Sequence, residues 1–357
     1  MAPTKPTLDL LRSLSDEHVL RALMGARRAT RAELAALTGL SKPTVSESVR
    51  RLGESGAVVD TGERTTGRGR VGTYYALAPT SGRALVVSLA PDGLVAEAVD
   101  AYGDVVARAV SPVPAAGRVA SALRDVAAKV AGAAGRFRLA VVSAADPVDR
   151  ASGRLVELPD LPFLLGALDA PAVLADLVAG PVTVDNDVNW AARAEDGGRD
   201  FAYLYLGEGL GLAVVSDEAV RRGHAGLAGE IAHVLTTGPD GSATRLTDVF
   251  AALGLRRPGS TAIDVPKLLD ATETHPALAR ALAGVLSAVV ALVDPAVVLV
   301  GGPWGPAIAP ALHEMVAAEP RAVPVEAAAV TVEPALTAAR AAALDALRDA
   351  LVAAAAA

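Results

Sequence analysis

The run Gly39-Leu40-Ser41-Lys42-Pro43 constrains this chain more than any other stretch. Gly39 can take positive φ cheaply and so ends the helix before it. Ser41 is a helix N-cap, and Pro43 falls in a first turn, where a missing N–H costs nothing. Leu40 is the apolar plug between them. Arg31–Thr38 carries Leu34, Ala35 and Leu37, which predicts an amphipathic helix of about two turns. Pro43–Leu52 predicts the next helix, burying Val45, Val49 and Leu52 at spacings of four and three. The pattern is that of two helices joined by a tight turn.

Lys42, Thr44, Ser46, Glu47, Ser48, Arg50 and Arg51 are then left for water or a partner. A short set rich in hydroxyls and cations suits a helix lying in a DNA major groove, with N-terminal residues on base edges and basic residues on phosphates. A surface helix pair in an ordinary helical domain carries similar residues, so the flanking sequence matters. Asp16–Gly25, with Val19, Leu20 and Leu23, predicts a helix packed beneath the pair. Glu54-Ser55-Gly56 is a turn, Ala57–Thr61 a strand, Thr65–Gly72 a glycine-rich tip and Thr73–Leu77 a return strand. Helix, helix-turn-helix and hairpin in that order make a winged helix. Arg68 and Arg70 on the tip suit a narrow minor groove. The candidate DNA contacts are therefore Arg31, Ser41, Lys42, Thr44, Ser46, Glu47, Arg50, Arg51, Arg68 and Arg70, with double-stranded DNA as partner.

Charge supports the division. Residues 1–80 hold 12 Lys and Arg against 8 Asp and Glu, whereas the remainder holds 21 against 32. A basic head on an acidic body fits a nucleic-acid module joined to a ligand-binding or oligomerising domain. The absence of cysteine removes disulfides, thiolate zinc sites and cysteine nucleophiles together. The first residues lack a signal-peptide pattern, and the apolar run Ala281–Val293 is short for a bilayer span. These features predict a cytoplasmic chain without a membrane partner.

Residues 1–8 are expected to be disordered, 9–79 to form the winged helix and 83–357 the body, with Ala78–Gly82 as the boundary. From Arg83 the pattern becomes hairpin strands followed by βα units, twice over, which predicts an α/β body of two lobes around a cleft. Strands are expected at Ala84–Ala90, Gly93–Asp100, Val105–Val110, Arg138–Ser143, Val182–Asp185, Ala202–Leu206, Gly211–Val215 and Ala296–Val300. Helices are expected at Ala120–Gly132, Ala172–Val178, Val188–Glu195, Pro266–Asp270, His275–Val293 and Ala335–Ala356.

Three clusters in the body can carry chemistry. Val184–Asn189 (VDNDVN) ends a strand and starts a helix; an Asp there can act as a base on a hydroxyl, and the same residues can equally cap the helix. Gly207–Gly211 (GEGLG) brings backbone N–H groups close to a turn, as a phosphate loop or as a tight hairpin. Gly223–His233 places Glu230 and His233 on one face if the segment is helical, where they can bind hydroxyls or join a metal site.

Together and in this order the three clusters resemble the ROK family of repressors and sugar kinases. The family's ENDxN, GTGIG and GxxGxAGExGH segments look like Asp185–Asn189, Gly207–Gly211 and Gly223–His233. Asp146–Asp149 with Gly153, Leu158–Pro162, Val293–Pro295 and Val298–Gly302 match as well. The winged helix in front is similar to that of the family's xylose-type and N-acetylglucosamine-type repressors. The resemblance implies a two-lobed actin-like, ribonuclease H-like fold and a sugar site to which Asp160, Asn186, Asp187, Glu230 and His233 correspond. It also implies a homodimer or homotetramer, and a dimer calls for a pseudo-palindromic operator.

The departures bear on activity. Where the family's kinases carry Asp-x-Gly-Gly-Thr, this chain reads Val87–Gly93 (VSLAPDG), and Pro91 removes a donor. Glu208 replaces the threonine of the second loop, Ala145-Asp146 replaces a Pro-Gly step, and the three zinc cysteines are missing. No cofactor, metal or catalytic residue is therefore expected. Asp187 matches the kinase base but is carried over as a ligand contact. The expected function is a DNA-binding regulator, a repressor, whose degenerate body senses a sugar; a body serving purely as an oligomerisation scaffold is the alternative, and a sugar kinase with an appended DNA-binding head is the least supported.

Overall fold

The computed structural model describes residues 8–66, 71–113, 117–132, 135–158, 167–195, 198 and 200–356. Helix α1 (Leu8–Ala26) starts well before the expected Asp16. Its buried residues, Asp16, Val19, Leu20, Leu23 and Met24, all lie from Asp16 onward, so the stretch before it carries no burial pattern to read. A short strand β1 (Arg28–Thr30) precedes α2 (Arg31–Thr38) and α3 (Lys42–Glu54). Thr30 and Glu33 cap α2 reciprocally: the Thr30 N–H donates to Glu33 at 2.7 Å, and the Glu33 N–H donates to the Thr30 hydroxyl at 3.3 Å. Gly39 ends α2 at φ 71°, and Ser41 caps α3 by accepting from the Thr44 N–H. Val45, Val49 and Leu52 are buried as the spacing requires. Leu37, read as part of the buried face of α2, instead points out and is 61% exposed.

Strands β2 (Val58–Arg64) and β3 (Thr73–Leu77) form the wing, and β1 joins β3, giving a three-stranded sheet in the order β1-β3-β2. Three residues were too few for β1 to show an alternation in sequence. Residues 67–70, and with them Arg68 and Arg70, lie outside the described residues.

The first lobe has β4 (Ala84–Ala90), β5 (Gly93–Val99), β6 (Val105–Ser111), α4 (Val119–Ala131), β7 (Leu139–Ala144), α5 (Ala170–Leu174) and β8 (Val182–Asn186). Its sheet runs β6-β5-β4-β7-β8, with antiparallel hairpins on one side and parallel strands on the other. Helix α6 (Asp187–Ala194) leads out of it. The second lobe repeats the plan. It comprises β9 (Phe201–Leu206), β10 (Leu210–Ser216), β11 (Ala219–Val220), a side hairpin β12 (Leu235–Thr237) and β13 (Ala243–Arg245), α7 (Leu246–Ala252), α8 (Val265–Asp270), α9 (His275–Val293), β14 (Val297–Gly301), α10 (Gly305–Ala317) and β15 (Val325–Ala327). Its sheet order β11-β10-β9-β14-β15 matches the first position for position. Helix α11 (Pro334–Ala356) closes the chain.

The sequence reading omitted α7, α10 and β11, β12, β13 and β15. Helix α10 contains Pro306 in its first turn and Pro310 inside it. An interior proline removes a helix bond; burial of Ile308, Ala309, Leu312 and Val316 in the lobe core offsets that loss. Helix α9, with the turn before it, forms a 22-residue apolar stretch, Thr272–Val293, long enough by length and composition to cross a membrane. This corrects the reading of that run as short. Half of the stretch is buried, and Leu278, Leu282 and Leu286 belong to the second lobe's core.

Alternation along the central strands places a layer on each face. In β4, Leu85, Val87 and Leu89 face α4, whereas Ala84 and Val86 face α11. The cluster containing Ala84 and Val86 also takes in Val19, Leu20 and Leu23 of α1 and Leu347 and Leu351 of α11. The head and the first lobe therefore share one apolar cluster across Ala78–Gly82. Helices α6 and α11 pack along each other between the lobes.

Candidate functional site

Two regions concentrate the predicted residues: the outer face of α3 and the cleft between the lobes. On α3, Lys42, Ser46, Glu47 and Arg50 are exposed and Thr44 is half-buried. Ser41 and Thr44 share a hydroxyl–hydroxyl bond of 2.8 Å. Lys42 makes no ion pair among the described residues. Arg50 is held by Glu47 and Glu54, its hydrogen bonds to Glu47 and Glu54 raising its pKa; the bond from Arg50 lowers that of Glu47. Arg31, at the start of α2, lies over the Tyr75 ring at 4.7 Å.

Two residues leave the predicted surface set. Ser48 is fully buried. Arg51 turns inward, donating to Asp16 through Nε at 3.0 Å and Nη2 at 2.6 Å and to Ser48 at 3.1 Å. Arg51 follows the buried Ser48 by three residues on α3, and the Asp16 carboxylate of α1 holds its guanidinium. Arg51 thus braces the recognition helix against α1 rather than facing outward.

The cleft encloses about 420 Å³. Parallel strands of the first lobe end beside it, where side chains of the following turns can converge. Asn186 caps α6: its Oδ1 accepts from the Val188 N–H at 2.9 Å, and its Nδ2 donates to the Ala144 and Asp146 carbonyls at 3.4 and 3.3 Å. Asp185 is saturated by the Asn186 N–H at 3.0 Å, Asn189 at 2.8 Å and a two-point contact from Arg222. It is a structural anchor. Asp187 opens α6 and faces the cleft. Burial, then the charges of Asp146 and Glu230, push its carboxyl up to about 7. Glu230 is pushed to about 7 by burial and by Asp146.

Glu230 and His233 both line the cleft, but not on one α-helical face as expected. A single 3-10 turn, Ile231–His233, follows Glu230. The glycines around them explain this. Gly229 has φ 99°, and a Cβ there would sit 1.8 Å from the Leu212 carbonyl oxygen. Gly226 has φ 94°, with the corresponding atom 2.1 Å from the Val148 oxygen. The segment is pressed onto β10 on one side and onto the first lobe on the other, where the Arg150 N–H reaches the Ala225 carbonyl at 3.1 Å. Asp160 lies outside the described residues.

The two loops that a nucleotide would need are short hairpins. Ala90 pairs with Gly93, so Pro91 and Asp92 make up the whole first turn. In the second, the Gly207 N–H bonds to the Gly209 carbonyl at 3.0 Å, and the buried Trp304 indole donates to the Gly207 carbonyl at 2.9 Å. Glu208 pairs with Arg257 at the cleft edge. Asp92, Tyr205 and Glu333 also line the cleft and were not singled out in the sequence. Their signal is tertiary, since Glu333 arrives from the start of α11. It sits at φ 43° and is held by Arg108 at 2.7 Å. Arg108 and Arg340 of α11 both bond the buried Glu97 on β5. No group of three or more His, Cys, Asp or Glu side chains comes together as metal ligands among the described residues.

The duplicated five-stranded lobes, crossed helices and intervening cleft define an actin-like α/β body, here carrying a winged helix in front. Residues 94–245 match the ROK family, and residues 12–59 match the winged helix-turn-helix DNA-binding family. The body thus contains a ROK-family segment and the head a winged helix-turn-helix DNA-binding segment, a combination that fits a DNA-binding transcriptional regulator.

The chain is 29% identical over 144 residues to the bifunctional enzyme NanE/NanK of Brucella suis biovar 1 (strain 1330), covering 36% of this chain and 27% of that protein. The chain thus spans about a quarter of the length of the curated relatives it matches. The crystal structure of a ROK family transcriptional regulator, a homolog of the E. coli MLC protein, superposes with TM-score 0.61 at 16% identity, covering 96% of this chain and 99% of that one. The ROK hexokinase from Thermus thermophilus superposes with TM-score 0.55 at 25% identity over 75% and 99% of the two chains.

Proposed function

We propose that the protein is a cytoplasmic repressor that binds a pseudo-palindromic operator as a homodimer and releases it in response to a sugar-like ligand. The head, residues 9–79, reads DNA through Ser41, Lys42, Thr44, Ser46, Glu47 and Arg50, with Arg31, Arg68 and Arg70 on the flanking backbone or minor groove. The body, residues 83–357, holds the ligand through Asn186, Asp187, Glu230 and His233, with Asp160 as a further contact. A homotetramer, built as a pair of such dimers, satisfies the same operator symmetry.

The observation that carries this reading is the course of α11. Glu333, Pro334, Ala335 and Leu336 line the cleft, and the far end of the helix shares a buried cluster with α1 and pairs Asp349 with Arg21. One helix touches both the cleft and the head. A ligand that favours one seating of α11 shifts the head with it, provided that it binds the two arrangements unequally. Pro91, Asp92 and Glu208 argue against phosphoryl transfer, because they remove a donor and add negative charge where a triphosphate would lie.

Fluorescence anisotropy with labelled operator fragments tests the reading. Binding is expected to weaken steeply with salt, and a sugar ligand is expected to release the DNA. Release by no sugar, with DNA binding intact, would leave the body as an oligomerisation scaffold. A coupled assay showing sugar-dependent ATP hydrolysis would instead restore the kinase reading.

A further inference from the structure

The cleft wall carries Asp92, Asp187, Glu208, Glu230 and Glu333 and, among its described lining residues, no lysine or arginine. Buried Asp146 adds a sixth carboxylate behind Pro147. Glu208 and Glu333 have partners outside the cavity, Arg257 and Arg108. Asp92, Asp187 and Glu230 have no ion-pair partner among the described residues. Arg222 is committed to Asp185. His233 is the one basic side chain among the described lining residues, and it is exposed.

The backbone adds a second, independent restriction. Anion sites in such folds use rows of free N–H groups in glycine loops. The first turn here is Pro91-Asp92, with a single N–H between them. The second turns the Gly207 N–H onto its own loop, and Trp304 fastens that loop from below. Neither loop offers a cradle, and each presents a carboxylate instead.

We infer that the cleft selects an unphosphorylated, ammonium-bearing polyol, an amino sugar with a free amine, seated beside Asp187 and Glu230. This rests on the sugar-sensing reading above. A phosphate ester brings negative charge into a cavity lined by five carboxylates. A neutral sugar can donate hydroxyl hydrogen bonds to these carboxylates but brings no positive charge to Asp187 and Glu230, which have no ion-pair partner among the described residues. An ammonium group supplies that charge while the hydroxyls use Asn186 and His233. In an enclosed site such charge pairing is screened far less than on a surface.

Isothermal titration calorimetry on the full chain tests this with matched probes: glucosamine, mannosamine and galactosamine, each beside its parent hexose, its N-acetyl derivative and its 6-phosphate. At least one amine is expected to bind about ten-fold or more tighter than its three counterparts, as one well-placed charge pair in a partly enclosed site provides. Asp187→Asn and, separately, Glu230→Gln are expected to bring that amine to within about three-fold of the parent hexose, as removal of one charge of the pair requires. A parent hexose or N-acetyl derivative binding as tightly as its amine would overturn the inference and leave sugar sensing standing. Tighter binding of a 6-phosphate would overturn it as well. Binding of none of the probes would remove the sugar-sensing reading, and the inference with it.

Discussion

Glu97→Gln tests whether the anchoring of α11 matters to both stability and signalling. Glu97 is 1% exposed on β5 and accepts from Arg340 Nε at 2.8 Å and Nη2 at 3.1 Å, and from Arg108 Nη1. Arg108 also bonds Glu333 at 2.7 Å, so one buried carboxylate ties the first turns of α11 and the cleft residue before them to the first lobe's sheet. The amide keeps the volume but loses the charge and turns an N–H₂ group toward two guanidinium groups. Breaking a fully buried ion pair costs about 3–5 kcal/mol. The two arginine side chains are 39% and 29% exposed and regain water when released, which screens the loss. A cost of about 2 kcal/mol remains, or a melting temperature lower by about 3–6 °C for a body of this size. The assay is a thermal melt by circular dichroism, with operator anisotropy measured with and without ligand. Operator affinity without ligand is expected to hold, whereas ligand-induced release is expected to weaken, because α11 is no longer keyed to the cleft. A shift under about 1 °C with normal release would refute the reasoning, since the ion pairs would then do no more than offset their own desolvation.

Lys42→Ala is expected to weaken operator binding about ten-fold and to lower the salt slope by about one, as loss of one phosphate contact does; an unchanged slope counts against α3 as the reading helix. Asp16→Ala is expected to destabilise the head by about 1–2 kcal/mol, the range of charge-assisted bonds in a partly exposed pair, with an affinity loss that low salt does not restore; a purely salt-dependent loss would return Arg51 to the DNA surface. Stability is expected to fall as pH rises from about 4 to about 7, because Asp187 and Glu230 remain protonated in the folded state, up to about 7, where the unfolded chain has already lost its protons. The sign follows from their raised values, and Asp187→Asn should remove part of the slope in denaturant titrations across that range. Near pH 7 an ammonium ligand is expected to release protons on binding, since it favours the charged carboxylates against burial and the charge of Asp146; equal heats in buffers of different ionisation enthalpy would contradict this.

The helix-turn-helix was legible because its signals are local. Gly39 in a left-handed cap, Ser41 as N-cap and the spacing of Val45, Val49 and Leu52 act within one or two turns of chain, and α2 was delimited from Arg31 to Thr38 as the structure has it. The central parallel strands β4, β7, β9 and β14 were legible for a related reason, since buried parallel strands read as continuous apolar runs. Arg51 and Ser48 were misread because amphipathicity alone does not say which polar residue at the edge of the stripe will meet Asp16 of another helix. Helix α10 was missed because Pro306 and Pro310 oppose it locally and its stability comes from packing.

The sequence by itself determined the winged helix and the central strands and helices of each lobe, the basic head and the residue types available to the cleft. It determined too that Pro91 offers no N–H donor at the first turn, because a proline has none in any fold. Only the tertiary structure decided that Asp92, Asp187, Glu208, Glu230 and Glu333, spread over some two-thirds of the chain, line one cavity. It alone decided that the last helix would touch both that cavity and the head. Local signals act over a few residues, whereas charge proximity and shared burial depend on distances between segments far apart in the chain, which the packing of the two lobes sets.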